Sequence, residues 1–142
     1  MIAAPAIYIT RLAILGVASA ALLGVQHAAA KQTREVQLIT PPQAKYPTLA
    51  EWLGMEGHCE VRFAVDENGN PFAVEPACTL RIFCFDAKRA VSGTRFEPKL
   101  VDGVPQVRTN LLFPMTYAIE GSDYHRESDP RSLEPCETKA VA

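Results

Sequence analysis

The fold is decided by the stretch Cys59-Glu60-Val61-Arg62-Phe63-Ala64-Val65-Asp66-Glu67-Asn68-Gly69. From Cys59 to Val65 the odd positions are apolar, with Glu60 and Arg62 between the first three, which predicts a half-buried β-strand. The segment 66–69 has the composition of a turn, with a glycine suited to positive φ. Residues 72–76 then form the returning strand of a hairpin. Pro71 and Pro76 predict that this strand is short or bulged, because proline cannot donate into a central ladder.

A second alternating segment runs from Val107 to Ile119 and is the clearest strand signal in the chain. Its odd positions from 111 to 119 are apolar and are predicted to share one face. Pro114 falls on the opposite face, which indicates an edge strand or a bulge.

Two short helices complete the pattern. The first is predicted at 48–55, with Thr48 as N-cap, Glu51 as its capping-box partner and an apolar stripe of Leu49, Trp52 and Leu53. The second begins with Asp86 as N-cap and ends at Gly93. The order helix, β-hairpin, helix, β-strand predicts an α+β fold, in which two short helices cover one face of a three-stranded antiparallel sheet.

Length and composition limit the classes of protein. The chain has 142 residues and a formal net charge of −2, which suits one domain and gives no basic surface for nucleic acid. Eleven prolines argue against a helical bundle.

The two ends of the chain differ from the domain between them. Residues 1–30 hold one basic residue, an apolar run of fourteen residues and an Ala-Ala-Ala end, which predicts an exported protein with a cleaved signal peptide. An uncleaved membrane anchor is the alternative. Residues 31–44 are interpreted as a short extended leader, residues 45–119 as the domain, and residues 120–142 as a polar tail that only Cys136 could order.

All four cysteines follow the predicted signal. An even number in an oxidising compartment predicts two disulfides, for which three connectivities exist. Cys78 and Cys84 are close enough in sequence for a turn to join them, which leaves Cys59 to pair with Cys136. A zinc site with His58 as helper is the weaker alternative, because the spacing contains no close cysteine pair.

No arrangement of residues indicates catalysis. The sequence contains none of the nucleophile-elbow, zinc-protease or phosphate-loop motifs. His58 borders a strand and is interpreted as a surface residue. We therefore expect a protein that is not an enzyme, with no catalytic residue, no cofactor and no metal.

Several motifs, in order, resemble the TonB C-terminal domain family. The resemblance is carried by Tyr46-Pro47 with Ala50, by Glu56-Gly57 and the strand and turn that follow, by Arg95-Phe96-Glu97-Pro98, and by Asp102-Gly103 with the last strand. It covers residues 41–119 and implies a periplasmic module that binds extended segments of outer-membrane transporters beside its last strand, by β-augmentation. The residues that match the family's contact region are Gln43, Tyr46, Pro47, Val107, Arg108, Asn110 and Leu112.

The chain also departs from the family's energy transducers. Their anchor helix carries a Ser-x-x-x-His motif, whereas Ser19 is followed at that spacing by Leu23. The fourteen residues 31–44, at about 3.3 Å each, reach only about 46 Å, too short to cross the periplasm. A soluble envelope-binding module without an energy-transducing role therefore stays as the alternative. An exposed strand edge also allows a homodimer, and a retained N-terminal segment would imply association with the inner membrane.

Overall fold

The computed structural model describes residues 31–137, so the predicted signal segment lies outside the described residues. The strands and helices are, in order, β1 (Gln37–Leu38), α1 (Thr48–Trp52), β2 (Gly57–Val65), β3 (Pro71–Cys78), α2 (Cys84–Ser92), β4 (Phe96–Glu97), β5 (Lys99–Val101), β6 (Val104–Gln106), β7 (Arg108–Tyr117) and β8 (Glu134–Pro135). Single 3-10 turns stand at Arg81–Phe83 and Arg126–Ser128. Within residues 31–137, no helix is long and apolar enough to cross a membrane.

The predicted hairpin forms the centre of the sheet. β2 and β3 are antiparallel, and the odd positions of β2 from Cys59 to Val65 are buried as the alternation predicts. The turn between them needs Gly69, whose φ is +81° and whose missing side chain leaves room for the carbonyl oxygen of Phe96. The predicted bulge lies in β3, where Ala73 adopts a φ of +49° and the register with β2 shifts by one residue.

The predicted last strand is β7, which pairs antiparallel with the other side of β2. Met115 and Tyr117 are buried on its inner face, as the alternation predicts. β7 also carries a bulge, because two residues of β7 stand opposite Ala64 between the Val65–Arg108 and Phe63–Leu111 pairs.

Within residues 31–137 the main sheet has four strands, in the order β7-β2-β3-β8, so the predicted count of three is wrong. The fourth strand, β8, comes from the segment that the sequence analysis took for a polar tail. Its two residues pair with Ala77 and Cys78 at the end of β3. A strand this short has no hydrophobic period, which is why the sequence did not reveal it.

The second helix begins earlier than predicted. α2 opens at Cys84, after the 3-10 turn, and Asp86 lies inside its first turn with no capping role. Asp86 is buried instead, and its carboxylate accepts hydrogen bonds from the Lys45 main-chain N–H at 2.8 Å and the Tyr117 hydroxyl at 3.1 Å. Arg89 pairs with it at 2.6 Å. The prediction of Asp86 as N-cap is therefore wrong, because two donors from outside α2, the Lys45 N–H and the Tyr117 hydroxyl, bind the carboxylate in the interior.

The first helix differs from its prediction in two ways. Thr48 is its first residue and makes no side-chain cap, so the capping box does not form. The predicted stripe of Leu49, Trp52 and Leu53 faces solvent, with Trp52 84% exposed, and only Ala50 of the helix is buried. A five-residue helix has too few turns to bury two faces, and the small side chain of Ala50 gives the close approach to the core.

The leader is paired with the domain. β1 pairs antiparallel with β4, and Arg34 and Leu100 exchange main-chain hydrogen bonds of 2.9 and 2.8 Å. Residues 34–39 therefore lie along the segment that precedes β7 rather than extending away from it.

Candidate interaction edge

The main-chain hydrogen bonds of β2 fix which groups of β7 are left free. The carbonyl of His58 accepts a 2.9 Å bond from the Thr79 N–H, and its N–H donates to the Thr79 hydroxyl at 3.1 Å. The main-chain N–H and C=O of His58 therefore point toward β3. In an antiparallel ladder these groups alternate in direction, so those of Cys59 and Val61 point toward β7. Their partners on β7 are Met115 and Phe113, whose main-chain groups point back toward β2.

The main-chain groups of the alternate residues of β7 point away from β2, toward the open side of the strand. We call Leu112, Pro114 and Thr116 the β7 edge, because their main-chain groups point outward and no strand covers them among the described residues. Pro114 has no N–H to donate, and at an outward position that loss costs the sheet nothing. The sequence prediction that Pro114 marks an edge position is confirmed.

This edge can bind one extended chain. It offers N–H donors from Leu112 and Thr116 and carbonyl acceptors from all three residues. Leu112 is 52% exposed on the outer face, where it can contact a side chain of an added strand. Strand addition to such an edge uses main-chain bonds for affinity and exposed side chains for selection.

The predicted contact residues around the start of β7 have different surroundings. Val107 is exposed just before the strand. The Arg108 guanidinium lies 3.3 Å from the Glu35 carboxylate of the leader and so already has a partner. Asn110 is exposed in the bulge with a φ of +56°, a conformation that asparagine tolerates better than most residues.

The other predicted contact residues, Gln43, Tyr46 and Pro47, precede α1. Gln43 is exposed and lines an open groove of about 520 Å³ with Lys45, Arg89 and neighbouring residues. The Tyr46 hydroxyl donates a 2.6 Å hydrogen bond to the Met55 carbonyl, and its ring packs edge-on against Phe83 and Tyr117. The carbonyl of Pro47 accepts the Glu51 N–H. The contacts of Tyr46 and Pro47 within the domain are those of residues that hold α1 in place.

The opposite edge of the sheet is closed by the C-terminal segment. We call residues 120–137 the tail strap. It returns across the end of β2, where the Tyr124 hydroxyl lies 2.8 Å from His58 Nδ1 and donates to Asp129 at 2.7 Å. Arg131 binds Asp129 with both its Nε and Nη2 and also donates a 2.8 Å bond to the Glu56 carbonyl. β8 and a disulfide at Cys136 then complete the closure.

This closure buries charged and polar side chains that the sequence analysis placed at the surface. His58 is 7% exposed, so its interpretation as a surface residue is wrong. The Asp129 side chain is 1% exposed, and its hydrogen bonds from Arg131 and Tyr124 hold the pKa of its carboxyl well below the usual range. Burial, together with the adjacent Asp129, raises the pKa of the Tyr124 hydroxyl. The clue in the sequence was the Asp129-Pro130-Arg131 triplet close before Cys136.

The cysteines form two disulfides, as predicted, but in another pairing. The bonds join Cys59 to Cys78 and Cys84 to Cys136, so the predicted pairs Cys78–Cys84 and Cys59–Cys136 are wrong. Cys59 and Cys78 are direct cross-strand partners in the hairpin, with Cα atoms 4.0 Å apart. Cys136 is thereby left to attach the tail strap to the first residue of α2.

The described residues offer one cluster with the spacing of metal ligands, formed by the sulfur atoms of Cys78, Cys84 and Cys136. Each of these sulfurs is bonded to another sulfur, so none is a thiolate that could bind a metal.

The comparison with protein families identifies the class of protein that this fold and edge define. The family model for the Gram-negative bacterial TonB protein C-terminal domain matches residues 42–119, more than half of the chain. The chain belongs to the TonB C-terminal family, whose domains are non-enzymatic interaction modules of the Gram-negative envelope. A search of curated proteins found no match to the chain. The family match ends at Ile119, so the tail strap lies outside it.

Proposed function

We propose that this protein is an exported periplasmic module that binds an extended segment of an outer-membrane transporter along the β7 edge. The observation that carries the proposal is a row of outward-facing main-chain groups on a strand that no other described strand covers, in a domain whose family acts by protein interaction. Leu112 and Thr116 supply the donors, and Leu112 supplies the exposed apolar side chain.

A role as a passive binding module is the second candidate, and two features favour it. The leader pairs with the domain from Arg34 to Ile39, so even less of residues 31–44 is free to serve as a spacer. Leu23 stands where the family's transducers carry the histidine that couples them to the proton gradient. Under this candidate the same edge binds an envelope protein other than a transporter.

The test is photo-crosslinking in the cell envelope. A benzophenone amino acid at Thr116 should capture outer-membrane transporters through their extended segments, identified by mass spectrometry of the adducts. The same probe at Glu75, which lies across the outer face of the sheet on β3, should not. Adducts only with other envelope proteins would favour the passive module, and equal adducts from both positions would refute the β7 edge as the docking site.

A matched pair of variants then separates main-chain pairing from side-chain contact. Leu112→Pro removes one outward donor, as Pro114 already does, and should abolish the Thr116 adducts while the protein stays folded. Leu112→Ala keeps the donor and should retain most of them. Adducts that survive in a folded Leu112→Pro protein would contradict β-augmentation. Asn110 is unsuitable for this test, because proline cannot adopt its positive φ.

A further inference from the structure

The two disulfides meet beneath the tail strap. The Sγ atoms of Cys78, Cys84 and Cys136 all lie within 4.8 Å of one another, although Cys78 is bonded to Cys59 and Cys84 to Cys136. A thiolate freed at Cys84 therefore lies within 4.8 Å of Cys78 Sγ, a sulfur of the other bond. Thiol–disulfide exchange proceeds by this kind of attack of a thiolate on a disulfide sulfur.

The two bonds differ in access to solvent. Cys59 and Cys78 are buried between β2 and β3, at 0% and 1% exposure. Cys84 and Cys136 are both half-buried at the surface of the domain. An external thiol therefore reaches the Cys84–Cys136 bond first, and it reaches the inner bond only through the outer one.

We propose that the Cys84–Cys136 bond is a thiol–disulfide exchange site for an external dithiol, and that Cys84 passes the exchange inward to Cys78. The co-reactant is a dithiol of the kind that thiol–disulfide oxidoreductases carry. This proposal goes beyond binding at the β7 edge and does not depend on it.

Each step breaks one sulfur–sulfur bond and forms another. The thiolate of the dithiol attacks Cys136 Sγ, forms a mixed disulfide and expels the thiolate of Cys84, which the dipole at the start of α2 stabilises. Cys84 then attacks Cys78, so that a Cys78–Cys84 bond forms and Cys59 leaves as a thiolate that takes a proton. The second thiol of the dithiol resolves the mixed disulfide at Cys136. The net change is oxidation of one dithiol to a disulfide and reduction of one protein disulfide to two thiols, at Cys59 and Cys136.

The exchange acts on the tail strap. Once Cys136 is a thiol, the strap has lost its covalent link to α2 and is held by β8 and by non-covalent contacts, among them the Arg131–Glu56 and Tyr124–His58 hydrogen bonds and the Lys88–Glu137 ion pair. Opening of β8 uncovers the main-chain groups of Pro76 and Cys78 on β3, which face away from β2. The redox state of this cluster thus sets whether the sheet has one open edge or two.

The experiment is limited reduction of the full oxidised protein with dithiothreitol, followed by acid quench, alkylation and non-reducing peptide mapping. The first species with two free thiols should carry the label on Cys59 and Cys136 and contain a Cys78–Cys84 bond. A first species labelled on Cys84 and Cys136, with Cys59–Cys78 intact, would overturn the relay.

A pair of variants provides an independent rate measurement. The Cys84→Ser/Cys136→Ser and Cys136→Ser variants both lack the bond that ties the strap, but only Cys136→Ser keeps the Cys84 thiol. Labelling of Cys59 under the same reductant should therefore be at least tenfold slower in the double variant than in Cys136→Ser. Equal labelling rates would refute inward exchange. Circular dichroism must first show that the double variant is folded, and the order of labelling in the unmodified protein does not depend on it.

Discussion

The two strands that flank β2 have similar edge residues, but among the described residues only one of them, β3, is covered by another segment. β3 and β7 each carry a proline whose main-chain groups point away from β2: Pro76 on β3 and Pro114 on β7. Each also carries a bulge residue with positive φ, Ala73 and Asn110. Pro76 is covered, because its carbonyl accepts the Cys136 N–H at 2.9 Å, whereas no described residue covers Pro114. Local edge chemistry therefore does not decide which edge is covered; the path of the tail strap does.

The largest expected effect comes from detaching the strap from α2. The Cys84→Ser/Cys136→Ser variant opens a loop whose ends are 52 residues apart, which in the chain-entropy picture lowers the free energy of unfolding by about 4 kcal/mol. Urea unfolding followed by circular dichroism measures this change. A loss below about 1 kcal/mol would mean that the strap's other contacts hold it without the bond.

The orientation of β7 predicts a large difference between neighbouring proline substitutions. Phe113→Pro removes a donor that faces β2 and a ring packed against the core, and should cost more than about 3 kcal/mol. Leu112→Pro removes an outward donor and should cost less than about 1 kcal/mol. Thermal and urea unfolding of both variants provide the measurement. Equal losses would show that the inward and outward positions of β7 have been assigned wrongly.

The strap side of the sheet should also respond to pH. Hydrogen bonds from Arg131 and Tyr124 lower the pKa of the Asp129 carboxyl in the folded state. The contribution of this carboxyl to stability is therefore complete above its unfolded pKa of about 3.9. It is lost as the pH falls from there through the pKa of the folded state. The difference in unfolding free energy between the unmodified chain and Asp129→Asn should therefore be constant from pH 7 to about pH 5 and should shrink below about pH 4. A difference that stays constant down to pH 2.5 would contradict the proposed network.

The smallest expected effect distinguishes the two bulges. The left-handed conformation of Ala73 costs free energy for an alanine, whereas glycine adopts it freely. Ala73→Gly should therefore raise the free energy of unfolding by up to about 1 kcal/mol. Asn110→Gly should change it by less than about 0.5 kcal/mol, because asparagine tolerates that region. Paired urea unfolding curves test both. A loss of stability in Ala73→Gly would mean that the entropy of the added glycine outweighs the relief of strain.

The hairpin shows how far sequence reasoning could reach. Alternation predicted β2 and β7 because a strand with one buried face must repeat every two residues. It could not predict the cross-strand disulfide. Val65 faces Pro71 and Ala64 faces Phe72, and that register, continued without a bulge, would set Cys59 opposite Ala77. The bulge at Ala73 shifts the register by one residue and brings Cys78 opposite Cys59 instead.

The candidate site was predictable in part. Leu112 and Pro114 could be assigned to an edge, because proline excludes a central strand. The pairing of Arg108 with Glu35 and the packing of Tyr46 under α1 depend on where the leader lies, and no periodic pattern encodes that path.

The sequence by itself determined the α+β class, the β2–β3 hairpin, the buried face of β7 and membership of the TonB C-terminal family, because each of these depends on residue type at local or repeated spacing. Only the tertiary structure decided which cysteines pair, that Asp86 is buried against Lys45 and Tyr117 and Asp129 beside His58, and that among the described residues the tail strap covers one edge of the sheet and not the other. These outcomes depend on contacts between residues far apart in the chain. Such contacts form only where the register and the path of the backbone bring the side chains together.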